Sequence, residues 1–407
     1  MQQTIHKFVF SFVTAAVAFA VWAPCAQGQT EKIIYSFTGG TDGAAPAGGL
    51  VMDASGNLYG VTESGGTNGA GTVFELNPGS GGSWTKTVLY SFTFTSADVW
   101  LPTSNLVFDA KGNLYGIGPE GGANGAGGIF ELSPGSNGTW TEKIIYSFTG
   151  GTDIVPFQSY LTIDSAGNLY GYLENFISSS GTTSYGGVFE IQANANGTWT
   201  EKVLHTFSGG NDGTAPYGGQ LAVDSAGNVY GEAYNGARDF GLVFELVRGS
   251  NGSWREKTLH TFMGAADGST ITPGTLVIDA SGNVFGTSTW NAFELLPGSN
   301  GTWTEKVLHT FGGGSDGAYP ESGLTLASSG TLYGTTYEGG MHRGTVFQLT
   351  PSSNGTWAEK VLHRFTTTGG DGIYPNSPLV VDGHGNVFGI TTDGGISNNG
   401  VVFEVTP

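Results

Sequence analysis

A hairpin-forming segment recurs along this chain with constant internal spacing, and it constrains the fold more than any other feature. Its clearest copy is GGIFELSPGSNGTWTEKIIYSF (127–148), in which Trp140 lies ten residues and Phe148 eighteen residues after Phe130. An Asn-Gly or Gly-Gly pair stands just before the Trp, between two runs rich in β-branched and aromatic residues. Because Asn and Gly tolerate the positive φ of a tight turn, each copy predicts a β-hairpin. The copies begin at Phe74, Phe130, Phe189, Phe244, Phe293 and Phe347.

Four short segments recur in one order, roughly 54 residues apart. They are the run ending in Phe (EKIIYSF, 31–37), then GLVMD (49–53), NLYG (57–60) and GTVFEL (71–76), and each has seven copies. Excess Gly (71 of 407 residues) with ample aromatic residues is typical of a turn-dense β protein. Seven repeats of four strands predict an all-β, seven-bladed β-propeller. An open solenoid is the alternative, and it would require capping repeats.

The two ends of the repeat array are complementary. The repeats open with EKIIYSF, the second half of a hairpin, and they stop after VVFEV (401–405), the first half. We therefore expect residues 30–37 to pair with residues 401–405, so that the N-terminal strand completes the last blade. Such closure removes free sheet edges. A single propeller domain would then span residues 29–407.

Charged residues support this register. A Glu and a Lys twelve residues apart can face each other across a hairpin, and such a pair is worth roughly 0.2–1 kcal/mol. By the same rule Glu404 should lie opposite Lys32. The internal pairs are Glu131 with Lys143, Glu190 with Lys202, Glu245 with Lys257, and Glu294 with Lys306. Thr87 replaces the Lys in the first hairpin, and Gln348 replaces the Glu in the sixth.

The first 28 residues have the character of a secretory signal peptide. Lys7 precedes an apolar run (8–22), and Ala26-Gln27-Gly28 offers a cleavage site. An uncleaved anchor and, through Cys25, a lipoprotein are the alternatives. We predict a protein that is secreted or held in the cell envelope (periplasm or cell surface), with no membrane span after cleavage.

Composition limits the partners of the mature chain. Without residues 1–28 it has no cysteine, and its formal charge changes from −19 to −20 because Lys7 is lost without any acid. A surface this acidic repels phosphate backbones, so nucleic acid is not an expected partner. We expect a monomer whose partner is an extracellular glycan or protein.

The repeat resembles the GloVer-type tandem repeat of secreted bacterial proteins. The matching residues are 88–92, Asp42-Gly43, Pro46, Asp53, 56–60 and 71–76. The segment LAVDSAGNVYG (221–231) is also similar to the first two strands of an NHL-type propeller repeat. The resemblance implies export and a repeat architecture, and it supplies no catalytic motif. Two repeats depart from the pattern: no Gly-rich loop separates Phe285 from Phe293, and Ala327 replaces the turn Asp.

Loop lengths distinguish the two faces of the predicted propeller. The loop between the second and third strands varies, with fifteen residues from Tyr59 to Phe74 but eight from Phe285 to Phe293. The other turns keep their length. Variable loops carry binding sites more often than constant turns do. The face formed by these loops and by the loops that enter each innermost strand is therefore the predicted ligand face.

Acidic residues recur on that face, and they suggest a ring of carboxylates. Such a ring could bind Ca²⁺, because hard cations require several oxygen ligands; we predict no other cofactor. The alternative is turn chemistry, in which each Asp bonds its own backbone. The entry-loop residues are Asp42, Asp98, Asp153, Asp212, Asp267, Asp316 and Asp371, and the other acids are Glu63, Glu120, Glu174, Glu232, Glu338 and Asp393.

Aromatic residues in the same loops suggest sugar binding, because aromatic planes beside carboxylates suit sugar rings. Packing of the loops is the alternative. His342 and Arg343, which follow Glu338, complete the candidate ligand residues. The loop aromatics are Trp100, Phe157, Tyr217, Trp290, Tyr319, Tyr337 and Tyr374. Of these, Trp100, Tyr217, Trp290, Tyr319 and Tyr374 are the candidate ligand residues.

Four histidines are interpreted differently. His205, His260, His309 and His363 occupy the position held elsewhere by Tyr35, Tyr90 and Tyr146. The exchange with Tyr predicts packing with a polar tip, not metal ligation.

Three functions remain open. The preferred one is a non-enzymatic exported scaffold that binds a glycan, a cation or a protein through its loop face. The second is a metal-dependent lactonase, lyase or hydrolase with its site at the central channel, and the third is a structural surface or matrix protein. Because the acids repeat and no Ser-His-Asp arrangement or cluster of ligand histidines is present, no catalytic residue is predicted.

Overall fold

Seven four-stranded antiparallel sheets form the molecule, and the predicted seven-bladed β-propeller is confirmed. The computed structural model describes residues 30–151, 159–177, 183–215, 219–236, 239–264, 267, 270–271, 274–340 and 342–407. Helical structure in these ranges is limited to 3₁₀ turns at Ser80–Gly82, Ser136–Gly138 and Gly210–Asp212. Within the described part of the chain, none of the helical segments has the length and hydropathy of a membrane span.

Each blade has the same strand order from the central axis outwards. The innermost strands are β2 (Ala44–Met52), β7 (Val107–Phe108), β12 (Thr162–Ile163), β16 (Ala222–Val223), β20 (Val277–Ile278), β24 (Thr325–Leu326) and β29 (Val380–Val381). The second strands are β3 (Leu58–Ser64), β8 (Leu114–Gly118), β13 (Leu169–Ile177), β17 (Val229–Ala233), β21 (Val284–Thr287), β25 (Leu332–Thr336) and β30 (Val387–Thr391).

The third and fourth strands form the hairpin predicted from the repeat. The third strands are β4 (Thr72–Pro78), β10 (Gly128–Pro134), β14 (Thr183–Ala193), β18 (Leu242–Arg248), β22 (Asn291–Pro297), β26 (Thr345–Pro351) and β32 (Val401–Thr406). The outermost strands are β5 (Trp84–Ser91), β11 (Trp140–Ser147), β15 (Trp199–Thr206), β19 (Trp254–Thr261), β23 (Trp303–Thr310), β27 (Trp357–Arg364) and β1 (Thr30–Ser36). Blades are numbered one to seven in this order.

The N-terminal strand closes the ring, as predicted. Strand β1 pairs antiparallel with β32 from Thr30 opposite Thr406 to Ser36 opposite Val401. The amide of Phe37 extends the ladder by donating to the carbonyl of Gly400 over 3.1 Å. Blade seven is therefore built from both ends of the described chain, and the solenoid alternative is excluded.

Phenylalanine pairs explain the spacing of the hairpin motif. Phe130, on the third strand of blade two, contacts Phe92 of blade one, whereas Phe148, at the end of the same hairpin, contacts Phe189 of blade three. The first Phe of each motif thus packs against the preceding blade and the second against the following blade. The pairs, with ring centroids 4.8–5.7 Å apart, are Phe37–Phe74, Phe92–Phe130, Phe148–Phe189, Phe207–Phe244, Phe262–Phe293, Phe311–Phe347 and Phe365–Phe403.

The same Phe ring explains the Gly of the NLYG segment. Gly60 lies directly opposite Phe74 on the neighbouring strand. A Cβ atom on Gly60 would lie 2.7 Å from Cζ of that ring, closer than carbon atoms can approach. Equivalent distances in the other blades are 2.4–2.6 Å. The ring therefore occupies the space where a side chain would be, which fills the gap that a strand Gly leaves.

The predicted Glu–Lys register is confirmed in all five hairpins that have the pair, including Glu404 opposite Lys32. The side chains form ion pairs in two of them: Lys257 Nζ lies 3.5 Å from Glu245, and Lys306 Nζ lies 3.3 Å from Glu294. Lys202 instead donates to the carbonyl of Gly252 in the hairpin turn of the next blade, over 2.9 Å. Lys32 does the same with Gly82. Lys202 and Lys32 therefore join neighbouring blades. The strand register alone does not reveal this contact.

Replacing Lys32 by Glu is expected to lower the melting temperature by about 1–3 °C. The change removes a charged donor to Gly82 and places a second carboxylate opposite Glu404. Differential scanning fluorimetry measures the effect. Lys111→Glu, at an exposed position, changes the net charge equally and serves as the control. Equal melting temperatures for the two variants would contradict the role of Lys32 in closure.

Candidate functional site

The two sets of loops predicted to share a face pair with each other there. In blade two, β6 (Val99–Trp100) of the entry loop pairs with β9 (Glu120–Gly121) of the loop that follows the second strand. In blade seven, β28 (Gly372–Ile373) pairs with β31 (Asp393–Gly394). Single bridges join the same two loops in blades four, five and six. In these five blades the entry loop and the second-to-third loop therefore form one paired unit.

The entry-loop aspartates point back to the outermost strand of the preceding blade. Asp212 accepts hydrogen bonds from the amide and the hydroxyl of Ser208 over 2.6 and 2.8 Å, and its Oδ1 lies 3.0 Å from His205 Nε2. Asp98 likewise accepts from the Tyr90 hydroxyl over 3.0 Å. The pattern supports the turn interpretation and gives the His or Tyr its polar partner. It recurs at Asp42, Asp267, Asp316 and Asp371, while Asp153 lies outside the described residues.

Hydrogen bonding outweighs burial at Asp42. Burial raises the pKa of this carboxyl, but hydrogen bonds from Thr38 and Tyr35 lower it further, so the pKa lies below its ordinary value. An ionised carboxylate that is saturated by its own loop has little capacity left for a cation. The described entry-loop aspartates thus fix their loops one by one and do not share one central site.

Four aromatic side chains from blades five, six and seven lie together on the loop face, and we call them the aromatic row: Trp290, Tyr319, Tyr337 and Tyr374. The rings of Trp290 and Tyr319 have centroids 4.8 Å apart. Those of Tyr337 and Tyr374 lie 5.0 Å apart and are stacked at 23°. The amide of Tyr337 donates to the carbonyl of Tyr319 over 2.9 Å, which joins the two pairs.

Charged side chains border the aromatic row. The Arg343 guanidinium lies 5.1 Å from the centroid of the Tyr374 ring and also donates to its hydroxyl. Glu338 is exposed beside Tyr337. Burial, and then the charge of Glu338, raise the pKa of Glu321 above its ordinary value. The row therefore has a cation at one end and two carboxyl groups along its side.

The local sequence explains where the rings stand. Because blade five lacks the Gly-rich loop, β21 turns back into β22 within three residues, and the amide of Ser288 donates to the carbonyl of Asn291 over 2.8 Å. Trp290 therefore sits at the tip of a tight turn and is 37% exposed. Tyr319 and Tyr374 have φ of 58° and 57° just before prolines. Ala45 and Leu101 share that conformation before their own prolines, so it belongs to the entry loop in general.

Five of the predicted ligand residues thus come together: Trp290, Tyr319, Glu338, Arg343 and Tyr374. His342 is exposed next to Arg343, with φ of 66°. The sequence interpretation missed Glu321, although it follows Tyr319 by two residues in the same entry loop. Tyr337 was recognised only as a loop aromatic; its position directly before Glu338 is the signal that places it in the row.

The remaining predicted residues lie elsewhere. The ring of Trp100 packs against Phe94, 5.8 Å away, and against Gly121. Glu120 is exposed, and burial raises the pKa of Glu63 and of Glu174. Tyr217 and Phe157 lie outside the described residues.

The prediction that Glu63, Glu174 and Glu232 lie in loops is wrong, because each is on a second strand: β3, β13 and β17. Glu232 is 3% exposed, at the position that Val61 occupies in blade one. Its Oε2 accepts from the amide of Gly274 over 3.1 Å. The error arose because the second strand continues past the NLYG-type segment.

A central channel of about 520 Å³ runs between the innermost strands. Leu50, Leu106, Leu324 and Leu379 contribute to its wall, together with polar groups such as the amide of Gln220. Among the described residues of this lining, none has an ionisable side chain. General acid–base chemistry would require such groups.

These features define the class of the molecule: a tandem-repeat, seven-bladed β-propeller whose variable loops gather aromatic side chains on one face. The chain belongs to the Gloeobacter/Verrucomicrobia repeat family, which matches it over residues 20–180 and 161–403. No curated protein sequence matches the chain.

Solved structures share the fold. A streptogramin B lyase is 13% identical with a TM-score of 0.55, over 94% of this chain and 99% of that one. A virginiamycin B lyase from Staphylococcus aureus is 12% identical with a TM-score of 0.54, over 93% and 99%. The extracellular domain of a putative hybrid two-component system from B. thetaiotaomicron is 16% identical with a TM-score of 0.55, over 93% of this chain and 42% of that one. At these identities the likeness concerns the fold alone.

Proposed function

We propose that this protein is an exported, non-enzymatic binding protein whose aromatic row binds a neutral polysaccharide. The observation that carries the proposal is the row itself, in which four partly exposed rings from three blades follow one another on the variable face. Export is the prediction from residues 1–28, and it makes an extracellular glycan the expected ligand.

The chemistry of the row suits a sugar chain. Sugar rings have apolar C–H faces that pack on aromatic planes and hydroxyl edges that need donors and acceptors. Arg343 offers donors, and Glu321 and Glu338 offer acceptors. The two ring pairs form an extended row, which favours several consecutive sugar units over one. The formal charge of −19 disfavours polyanionic glycans.

A lyase or hydrolase at the channel is the alternative, and the fold is shared with lyases. Binding is preferred because the described channel lining lacks ionisable groups, whereas the loop face has aromatic and charged side chains together. A protein ligand or a purely structural role would appear as a failure to bind any glycan.

Trp290→Ala and Tyr374→Ala are each expected to weaken glycan binding about tenfold or more, because each removes one stacking surface from one of the two ring pairs. Affinity electrophoresis in gels that contain one of a panel of neutral polysaccharides identifies the ligand, and isothermal titration calorimetry then measures the dissociation constant.

Phe94→Ala is the matched control. Phe94 is 56% exposed on the same face but contacts Trp100, away from the aromatic row. Unchanged affinity in both row variants, or an equal loss in Phe94→Ala, would refute the proposed site. Release of shortened or unsaturated sugars would instead favour the lyase alternative.

A further inference from the structure

Polar triads recur between the outermost strands of neighbouring blades. Each consists of an entry-loop Asp, the Tyr or His that contacts it, and a Glu from the outermost strand of the next blade. Between blades one and two these are Asp98, Tyr90 and Glu142, and the Tyr90 hydroxyl donates to Asp98 over 3.0 Å with Glu142 close by. Lys86 takes the place of the Glu at one interface, between blades seven and one. The Glu residues are Glu31, Glu142, Glu256, Glu305 and Glu359. Glu201 has the same position between blades two and three, where the entry-loop Asp lies outside the described residues.

Two triads have the composition and spacing of a metal site. In the first, Glu31, His363 and Asp371 each offer one ligand atom, and these atoms all lie within 4.8 Å of one another. The second consists of His309, Asp316 and Glu359. All other described groups of potential ligands are smaller or more widely spaced.

The first triad has unused ligand atoms. The Asp371 side chain is 10% exposed, and its Oδ1 is buried without a hydrogen-bond partner. Glu31 Oε1 is buried and unpartnered in the same way. A buried carboxylate oxygen without a partner is costly, and a bound cation removes that cost. In the second triad Glu359 Oε1 is also buried and unpartnered, but Asp316 is 28% exposed and both of its carboxylate oxygens have partners. Asp371 Oδ1 is therefore what distinguishes the first triad.

We propose that Glu31, His363 and Asp371 bind a divalent transition-metal ion such as Zn²⁺. One imidazole nitrogen and two carboxylate oxygens are ligands that Zn²⁺ accepts, and a water would supply the fourth position. The His ligand disfavours Ca²⁺ and Mg²⁺, which prefer oxygen. His363 Nε2 lies 3.3 Å from Asp371 Oδ2, close to the separation of two ligands on a tetrahedral ion.

The position of the site gives the ion a structural role. Glu31 is on the closing strand β1, His363 is on β27 of blade six, and Asp371 is in the loop that enters blade seven. The ion therefore ties the N-terminal strand to the preceding blade. On the other side of β1, Lys86 supplies a positive charge by donating to the carbonyl of Asp42. Strand β1 then has a positive charge on each side: the ammonium group of Lys86 on one side and the bound metal ion on the other.

A structure-preserving variant tests the proposal. His363→Tyr introduces the residue that the equivalent position has in blades one, two and seven, where Tyr35 and Tyr90 donate to the loop Asp. It keeps the packing and removes the nitrogen ligand. His205→Tyr is the matched control, because the carboxylates around His205 do not form a close triad.

Residues 29–407, purified with a tag free of histidine and treated with EDTA, would be titrated with ZnCl₂. The melting temperature is expected to rise by about 3 °C when free Zn²⁺ reaches about 100 times the dissociation constant. Elemental analysis after dialysis should detect bound zinc. His205→Tyr should retain both effects, whereas His363→Tyr should fold, melt normally in EDTA and lose both. Glu31→Gln should weaken zinc binding at least tenfold.

The proposal would be overturned if the wild type bound no zinc at micromolar concentration, or if His363→Tyr bound zinc as well as the wild type does. Loss of zinc binding in His309→Tyr alone would also overturn it, because that result would assign the ion to the second triad. A response to Ca²⁺ or Mg²⁺ but not to Zn²⁺ would also refute it. Asp371 and Tyr374 share the entry loop of blade seven, so the titration is run without glycan, and its result does not depend on the proposed function.

Discussion

A mature chain that lacks residues 29–37 is expected to lose its cooperative unfolding transition and to aggregate at concentrations at which the full-length protein remains dispersed. The deletion removes β1, which pairs with β32 along its whole length, and it exposes the edge of that strand to other molecules. It also removes Phe37, which is 0% exposed and packs against Phe74 of blade one. The last blade then lacks its outer strand and the Phe37–Phe74 contact, and it meets blade one only through its inner strands, for example at Phe388 and Trp84.

The loss of Phe37 alone gives a lower bound for the decrease in the free energy of unfolding. Truncating a buried Phe to Ala typically costs about 3–5 kcal/mol, and the deletion adds the loss of Ile34 and of the strand ladder. Circular dichroism with heating, together with size-exclusion chromatography, measures the effect.

A synthetic peptide of residues 30–37 provides the control for the deletion. Added in trans, it should restore part of the transition, whereas a peptide of the same composition in scrambled order should not. A truncated chain that unfolds cooperatively at the temperature of the full-length protein would show that β1 is not needed for closure.

The stability of the protein is expected to increase as the pH falls from about 7 to about 4.5. Burial, and then the charge of Asp98, raise the pKa of Glu142 to about 7. Burial and the charge of Asp267 raise the pKa of Glu305 to about 7 as well. Both carboxyl groups lie between the outermost strands of two neighbouring blades, close to the entry-loop Asp of their own blade.

The sign follows from proton linkage. An exposed Glu in the unfolded chain has a pKa near 4.5, so over this interval the folded protein binds more protons than the unfolded chain does. The stabilisation from these two groups is complete below about pH 4.5, is lost as the pH rises through about 7, and stays absent above. Solvent screening at these partly exposed sites limits it to about 1 kcal/mol each. His260 acts in the opposite direction, because burial lowers its pKa.

The double variant Glu142→Gln, Glu305→Gln isolates this contribution. It should melt about 2 °C above the wild type at pH 8, and the difference should shrink towards pH 5, since Gln resembles the protonated Glu. Glu120→Gln, at an exposed loop position, is the control, because it removes one negative charge without the expected rise in melting temperature. Parallel melting curves for the wild type and the double variant across pH 5–8 would refute the assignment.

The fold could be predicted almost entirely from the sequence, because turn residues and regular spacing within each repeat specify it. The spacing from Phe130 to Trp140 and Phe148 defines a hairpin, and the order of the segments at residues 30–37 and 401–405 defines how the ring closes. The Lys32–Glu404 register follows from the same spacing. Side-chain direction could not be predicted in the same way: Lys32 reaches the turn at Gly82 because the neighbouring blade brings that carbonyl within range.

The candidate site was predictable only in part. Loop variability pointed to the face that carries the aromatic row, and five of the predicted residues come together there. The sequence also suggested a ring of aspartates, but Asp98 and Asp212 turn towards their own loops because amides and hydroxyls there satisfy them. The four histidines of the outermost strands were interpreted from the sequence as packing residues. That interpretation did not consider the Glu on the outermost strand of the next blade.

The sequence by itself determined the number of blades, the order of their strands and the pairing of the two ends, since these depend on turn residues and on regular spacing along the chain. Only the tertiary structure decided which loops meet and which carboxylates share an interface. Tyr319 meets Trp290, and Glu31 meets His363 and Asp371, because curvature of the ring brings neighbouring blades into contact. That curvature comes from the packing of whole sheets against one another, and no short segment of the chain encodes it.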